Sequence, residues 1–192
     1  KKYELHKKYI EAELTENKIT SSQLSSLPEC STTYCTYNRS GNLIVNSGLL
    51  CNKKALVFVN GNLIIKPPIE SDNSTALSNT NGCIFVVKGT VTIEAGSRAS
   101  TSTTFGYDKI NAYIISDDVV TIQHDPYISP YNPKKIVDGV YINGGLISRG
   151  GGDSIDISRY LRLNERLVYP VFAIDLHPKY GMLAEKFFGN SY

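Results

Sequence analysis

The side chains of this chain best suited to act as acid, base or anion clamp are Asp117 and Asp118, Asp153 and Asp156, and Arg149 and Arg159. Paired carboxylates on one face of stacked strands are what glycoside cleavage asks for: one protonates the leaving oxygen while the other serves as base or nucleophile. Asp117 and Asp118 are adjacent, however, and neighbours in a strand face opposite ways. They therefore make no ready pair, and as corner residues they need no catalytic role. Arg149 and Arg159 are read first as partners in surface ion pairs. His6, His124 and His177 are isolated, with no HxH or HExxH spacing to hold a metal. No GxSxG elbow is present, and Gly150-Gly151-Gly152 lacks the Lys-Ser/Thr of a phosphate loop. The chain is accordingly read as not an enzyme, with no catalytic, cofactor-binding or metal residue and no cofactor.

Two other sets carry chemistry. Tyr107, Tyr127, Tyr131 and Tyr141 are a candidate ligand platform, since a tyrosine offers an apolar ring and a polar tip to a sugar. Cys30, Cys35, Cys51 and Cys83 are an even number and suit two disulfides in an oxidising compartment. They form no CxxC motif and have no histidine nearby, so zinc is not expected.

What must position these groups is a repeated pattern. Val57-Phe58-Val59-Asn60-Gly61-Asn62-Leu63-Ile64-Ile65-Lys66 reads as two short apolar-alternating segments joined at a corner. It recurs at Phe85–Glu94 around Gly89 and at Val140–Arg149 around Gly144, with weaker copies around Gly41 and Asp117. Corners at 41, 61, 89, 117 and 144 are spaced nearly evenly, and the copies are joined by polar, turn-rich inserts. Short strands repeating at this period predict an all-β parallel β-helix, or β-solenoid, in which each coil buries its apolar face only against its neighbours. The alternative is a β-sandwich of hairpins, because Asn60-Gly61 and Asn143-Gly144 are good type I′ turns. Ser40-Gly41, Lys88-Gly89 and Asp117-Asp118 are poorer ones. If coils stack, Cys30 and Cys51 fall at similar distances ahead of their corners, and a bridge between them is expected, with a local Cys30–Cys35 link as the other option. Cys35 and Cys83 sit equally far ahead of theirs but two coils apart, too far to bond.

Three regions follow. Residues 1–28 read as an N-terminal helix (Leu5, Tyr9 and Ala12 on one face) and a polar linker, 29–150 as the solenoid, and 151–192 as a C-terminal cap. The cap holds strands near 155–161 and 169–175 and a short helix from Pro178 that ends at Gly189. Bulk properties fit a folded β-protein: 192 residues, 41% apolar, 20% charged, thirteen tyrosines and no tryptophan. A net charge of +2 without a basic stripe argues against nucleic acid. The chain begins with Lys rather than Met and carries no signal peptide, so it is read as a processed or trimmed chain. An upstream part could hold a secretion signal or membrane anchor.

The order of blocks carries a resemblance. Gly-Asn-Leu-x-Ile is followed by Val-Val-x-Gly-x-Val-x-Ile, then Asp108–Asp117, Val140–Arg149, Arg159-x-Leu161 and Tyr169-Pro170. Over residues 40 to 182 this resembles the carboxy-terminal β-helical modules of uncharacterised surface or secreted proteins from bacteria with small genomes. The resemblance implies exposure outside the cell and a structural or adhesive role, and carries over no catalytic or binding residue. Together these features lead us to expect an extracellular structural protein: a subunit of a surface filament, stalk or layer, or an adhesin module. It would act through self-association or contact with neighbouring surface proteins. The alternative is a carbohydrate-binding or polysaccharide-cleaving β-helix protein acting on glycans.

Overall fold

The computed structural model describes residues 16–71, 81–96, 107–123, 139–151, 154–158, 170 and 172–188. The chain winds through three sheets in turn. The first sheet holds, in spatial order, β1 (Glu16–Lys18), β3 (Tyr34–Ser40), β6 (Lys54–Asn60), β9 (Gly82–Val87), β12 (Ala112–Ser116) and β15 (Gly145–Ser148). The second holds β2 (Gln23–Leu24), β4 (Leu43–Val45), β7 (Leu63–Ile65), β10 (Val91–Ile93), β13 (Val120–Ile122) and β16 (Ile155–Ile157). The third holds β5 (Leu49–Cys51), β8 (Ile69–Ser71), β11 (Tyr107–Ile110), β14 (Gly139–Asn143) and β17 (Phe172–Asp175). Every pairing among the described strands is parallel. Hairpins would pair antiparallel, so the sandwich alternative is set aside. Three parallel sheets built from stacked coils are compatible with a β-helix.

Alternation does the packing. Leu43, Leu63, Val91 and Val120 lie one above another on the second sheet, and Leu49, Ile69, Ile110 and Ile142 do so on the third. All of them are fully buried. Val57, Val59, Leu63 and Ile65 face the same core, as their alternation predicts. Between the first and second sheets the backbones of successive corners touch. A Cβ on Gly61 would lie 2.5 Å from the carbonyl carbon of Gly41, and one on Gly89 would collide with Asn62 Oδ1. Asparagines bond these corners along the stack. Asn62 N–H donates to Asn42 Oδ1 (2.9 Å) and Thr90 N–H to Asn62 Oδ1 (3.1 Å). At the corner between the third and first sheets, Asn143 Nδ2 donates to Asn111 Oδ1 (3.2 Å), and Asn111 Nδ2 to the Ile69 carbonyl (3.0 Å).

Four expectations need correction. The fifth corner is not Gly144. That residue turns the chain from the third sheet into the first, whereas the counterpart of Gly89 and Asp118 is Gly150. An Asn-Gly between apolar alternations looks the same at either corner. On the first sheet Thr36, Leu56, Ile84, Tyr113 and Gly145 stand in register, and the interval between them lengthens at every step along the stack.

The linker read over residues 16–28 contains β1 and β2, which begin the first and second sheets. Its buried apolar anchors are only Ile19, Leu24 and Leu27, too sparse to register as a repeat. Within the region read as a C-terminal cap, β16 and β17 are further rungs of the second and third sheets. The helix α1 (Pro178–Phe188) lies on the flank of the first sheet. Tyr180, Leu183 and Phe187 cover the outward-facing Leu56, Phe58, Ile84, Val86 and Ile115. Tyr34 meets Phe187 edge to face, with centroids 5.7 Å apart. The expected N-terminal helix and the Gly189 stop lie outside the described residues.

The fourth correction concerns the cysteines. The bonds are Cys30–Cys35 and Cys51–Cys83, not Cys30–Cys51. Cys30 precedes β3 and belongs to no strand, so counting back from corners does not place it above Cys51. Cys35 and Cys83 are indeed two rungs apart, with Ala55 between them in register. Cys51 closes a third-sheet strand and Cys83 lies at the start of a first-sheet strand, so their inward side chains meet across a corner.

Candidate functional site

The groups with acid–base potential are engaged as structural partners. Arg149 Nη1 donates to Asp117 Oδ1 at 3.1 Å, joining successive coils at the corner. Asp118 Oδ1 accepts the Val119 N–H (2.8 Å), and the Asp118 carbonyl accepts Ser148 Oγ (2.8 Å). Asp117 and Asp118 thus serve two separate bonding sets. Asp156 accepts the Ser158 hydroxyl at 3.3 Å. His177 Nδ1 accepts the Lys179 N–H (3.2 Å) and caps α1, with Pro178 opening the helix. Asp153, Arg159, His6 and His124 lie outside the described residues. No group of three or more His, Cys, Asp or Glu able to hold a metal occurs among the described residues.

The outer face of the third sheet brings two of the four platform tyrosines together. Alternation turns Asp108, Ile110, Val140 and Ile142 inward and leaves Tyr107, Lys109 and Tyr141 outward. Tyr107 pairs in register with Gly139, and Lys109 with Tyr141, so the two rings are diagonal neighbours on adjacent strands. Their centroids are 6.2 Å apart at 58°. Gly139 puts no side chain opposite Tyr107, and Ala173 only a methyl opposite Tyr141. The Tyr141 hydroxyl donates to Asp175 Oδ2 at 3.0 Å. Partial burial raises the Tyr141 pKa first, and the hydrogen bond and charge of Asp175 push it the same way. Tyr127 and Tyr131 lie outside the described residues.

The chain matches no protein-family model, and neither a curated protein nor a solved structure matches it. Fold and site stand on geometry alone.

Asp175 and Lys109 were not singled out from the sequence. Asp175 comes beside Tyr141 only through the register of β14 with β17, which sets Tyr141 against Ala173 and Asn143 against Asp175. On the third sheet the step from Ile69 to Ile110 is far longer than the step from Leu49 to Ile69, so no fixed period could have aligned these strands. Two disulfides are consistent with an extracellular location, and no helix among the described residues is long and apolar enough to cross a membrane.

Proposed function

We propose that this protein is an extracellular β-solenoid with a structural role, a subunit of a surface filament, stalk or layer, or an adhesin module, acting through assembly with copies of itself or neighbouring surface proteins. The observation that carries the reading is the last rung. Leu49, Ile69, Ile110 and Ile142 are fully buried, yet Ile174, next in the same inward column, is 41% exposed. Ile157 ends the second-sheet column at 40%, and Leu176 beside the last rung is 71% exposed. Among the described strands, β15, β16 and β17 each stand at the edge of their sheet. An uncovered strand edge with apolar side chains is a template for further pairing, and solenoids keep such ends soluble by capping or assembly. The one helix among the described residues, α1, lies on the flank, which leaves the end rung to a partner.

Sedimentation velocity over a rising concentration series tests this. Wild type is expected to associate progressively, and Ile174→Lys, which puts a charge on the end rung, to stay monomeric. Wild-type protein that is monomeric throughout, or association that Ile174→Lys leaves intact, contradicts the proposal.

A further inference from the structure

We infer that the outer face of the third sheet is a binding subsite for neutral hexopyranose chains, built on Tyr107, Tyr141 and Asp175. Asp175 lies on β17, the edge strand of this sheet, with its carboxylate on the outer face beside Tyr141, and the inference does not depend on the assembly reading. The chemistry follows from what a sugar presents. One face of a hexopyranose is a patch of axial C–H groups, and its rim is a ring of hydroxyls. An outward tyrosine ring stacks on the first, and an exposed carboxylate accepts from the second.

Both are present and held in place. The Tyr141 hydroxyl is tethered to Asp175 Oδ2 at 3.0 Å, which fixes the ring and brings the carboxylate to its edge. The Tyr107 ring stands 6.2 Å away and tilted by 58°, so the two rings form an angled shelf rather than a closed stack. Gly139 opposite Tyr107 and Ala173 opposite Tyr141 raise no side chain above a methyl group, while Lys109 stands opposite Tyr141 on its other side. The strands beneath are pinned by the buried Ile110, Val140 and Ile142, so the rings ride on a rigid element rather than a loop. Asp175 and Lys109, the latter opposite Tyr141 in register, set one charge of each sign beside the shelf, so neither anionic nor cationic sugars are favoured by charge and the subsite suits neutral rings. Neighbouring rungs of a sheet lie about 4.8 Å apart, close to the advance of one hexose along an extended chain, so consecutive rings of a glycan can meet consecutive rungs.

The test uses maltohexaose, cellohexaose and mannohexaose, each titrated into the full chain by NMR. At least one is expected to bind at millimolar or lower concentration. Tyr141→Ala and Tyr107→Ala are each expected to weaken that binding by about tenfold, the order of one aromatic contact. Asp175→Asn keeps its shape and loses its charge, and is expected to weaken it to a similar extent of about tenfold. All three side chains face outward, so an unchanged melting temperature confirms that each variant is folded. No binding by any of the three hexasaccharides, or binding that survives all three substitutions, overturns the inference. Ile157→Lys, which puts a charge on the end rung in the second sheet and away from Tyr107, Tyr141 and Asp175, is expected to abolish association and leave sugar binding unchanged, so failure of the assembly reading and failure of this one are told apart.

Discussion

Tyr180 carries its hydroxyl into the layer between α1 and the first sheet, 1% exposed and without a hydrogen-bond partner among the described residues. An unpaired buried hydroxyl costs about 1–3 kcal/mol. Tyr180→Phe is therefore expected to leave stability unchanged or raise it by up to that amount in urea denaturation, and a clear loss would mean the oxygen is bonded. Tyr37 is the opposite case: fully buried, it donates to the Pro28 carbonyl at 2.7 Å. Burial, with Glu29 adding to it, pushes its pKa up from 10.0 to about 12. Burial also raises Tyr113 and Tyr180. A raised phenol pKa means the fold prefers the protonated form. Its contribution is fully present below the unfolded value near 10 and is lost as pH rises through the folded value. Stability measured by denaturation is thus expected to fall between pH 10 and about 12, and to fall less in Tyr37→Phe. A flat profile over that window would contradict the burial of these rings. Arg39 shows how an inward-register position tolerates a charge: Nη1 donates to the Thr20 carbonyl (2.6 Å) and Nε to the Asn42 carbonyl (3.0 Å), tying the first coil to the second.

The helix α1 and the two disulfides are the elements that fasten the stack. Residues 55–59 and 83–87 are apolar without interruption, and such runs mark strands covered on both faces. Leu56, Phe58, Ile84 and Val86 accordingly face α1 while their neighbours face the core. Phe187→Ala is expected to cost about 3–5 kcal/mol and to speed hydrogen exchange across α1 without unfolding the second and third sheets. Exchange unchanged in α1 would mean the helix is held by something other than this layer. Chain entropy ranks the disulfides by loop length. In denaturation of the two double-serine variants, loss of Cys51–Cys83 is expected to cost about 4 kcal/mol for its separation of 32, against about 2 kcal/mol for Cys30–Cys35 at 5. Much of this level was legible: the inward alternation of 57–65, a helix from Pro178 and the local Cys30–Cys35 option all follow from residue types and spacing. What α1 covers was not, because a helix pattern names its apolar face and not its counterpart. Nor was the Cys51–Cys83 bond, since counting from corners orders positions along one sheet and says nothing about distance from one sheet to the next.

In the whole molecule, the recurrence of one two-strand sentence around a small corner was enough to point to stacked coils, although its interval lengthens along the stack and the fifth corner was misplaced. The third sheet escaped that reading. Its strands follow one another at unequal steps, short from Leu49 to Ile69 and long from Ile69 to Ile110, and the irregular segments between them blur the period. That is why Tyr107 and Tyr141 were singled out by type but their neighbour Asp175 was not. The same irregularity hid the end of the stack, where β16 and β17 look like a separate cap and are instead the last rung. With α1 on the flank of the first sheet and Ile157 and Ile174 exposed at the last described rung, growth along the stack axis is the direction of assembly we propose. Electron microscopy of the purified protein at assembly concentration tests that most directly. Rods or filaments whose long axis runs along the stack are expected in wild type and lost in Ile174→Lys. Dispersed single particles in wild type, or filaments that Ile174→Lys leaves unchanged, would contradict it.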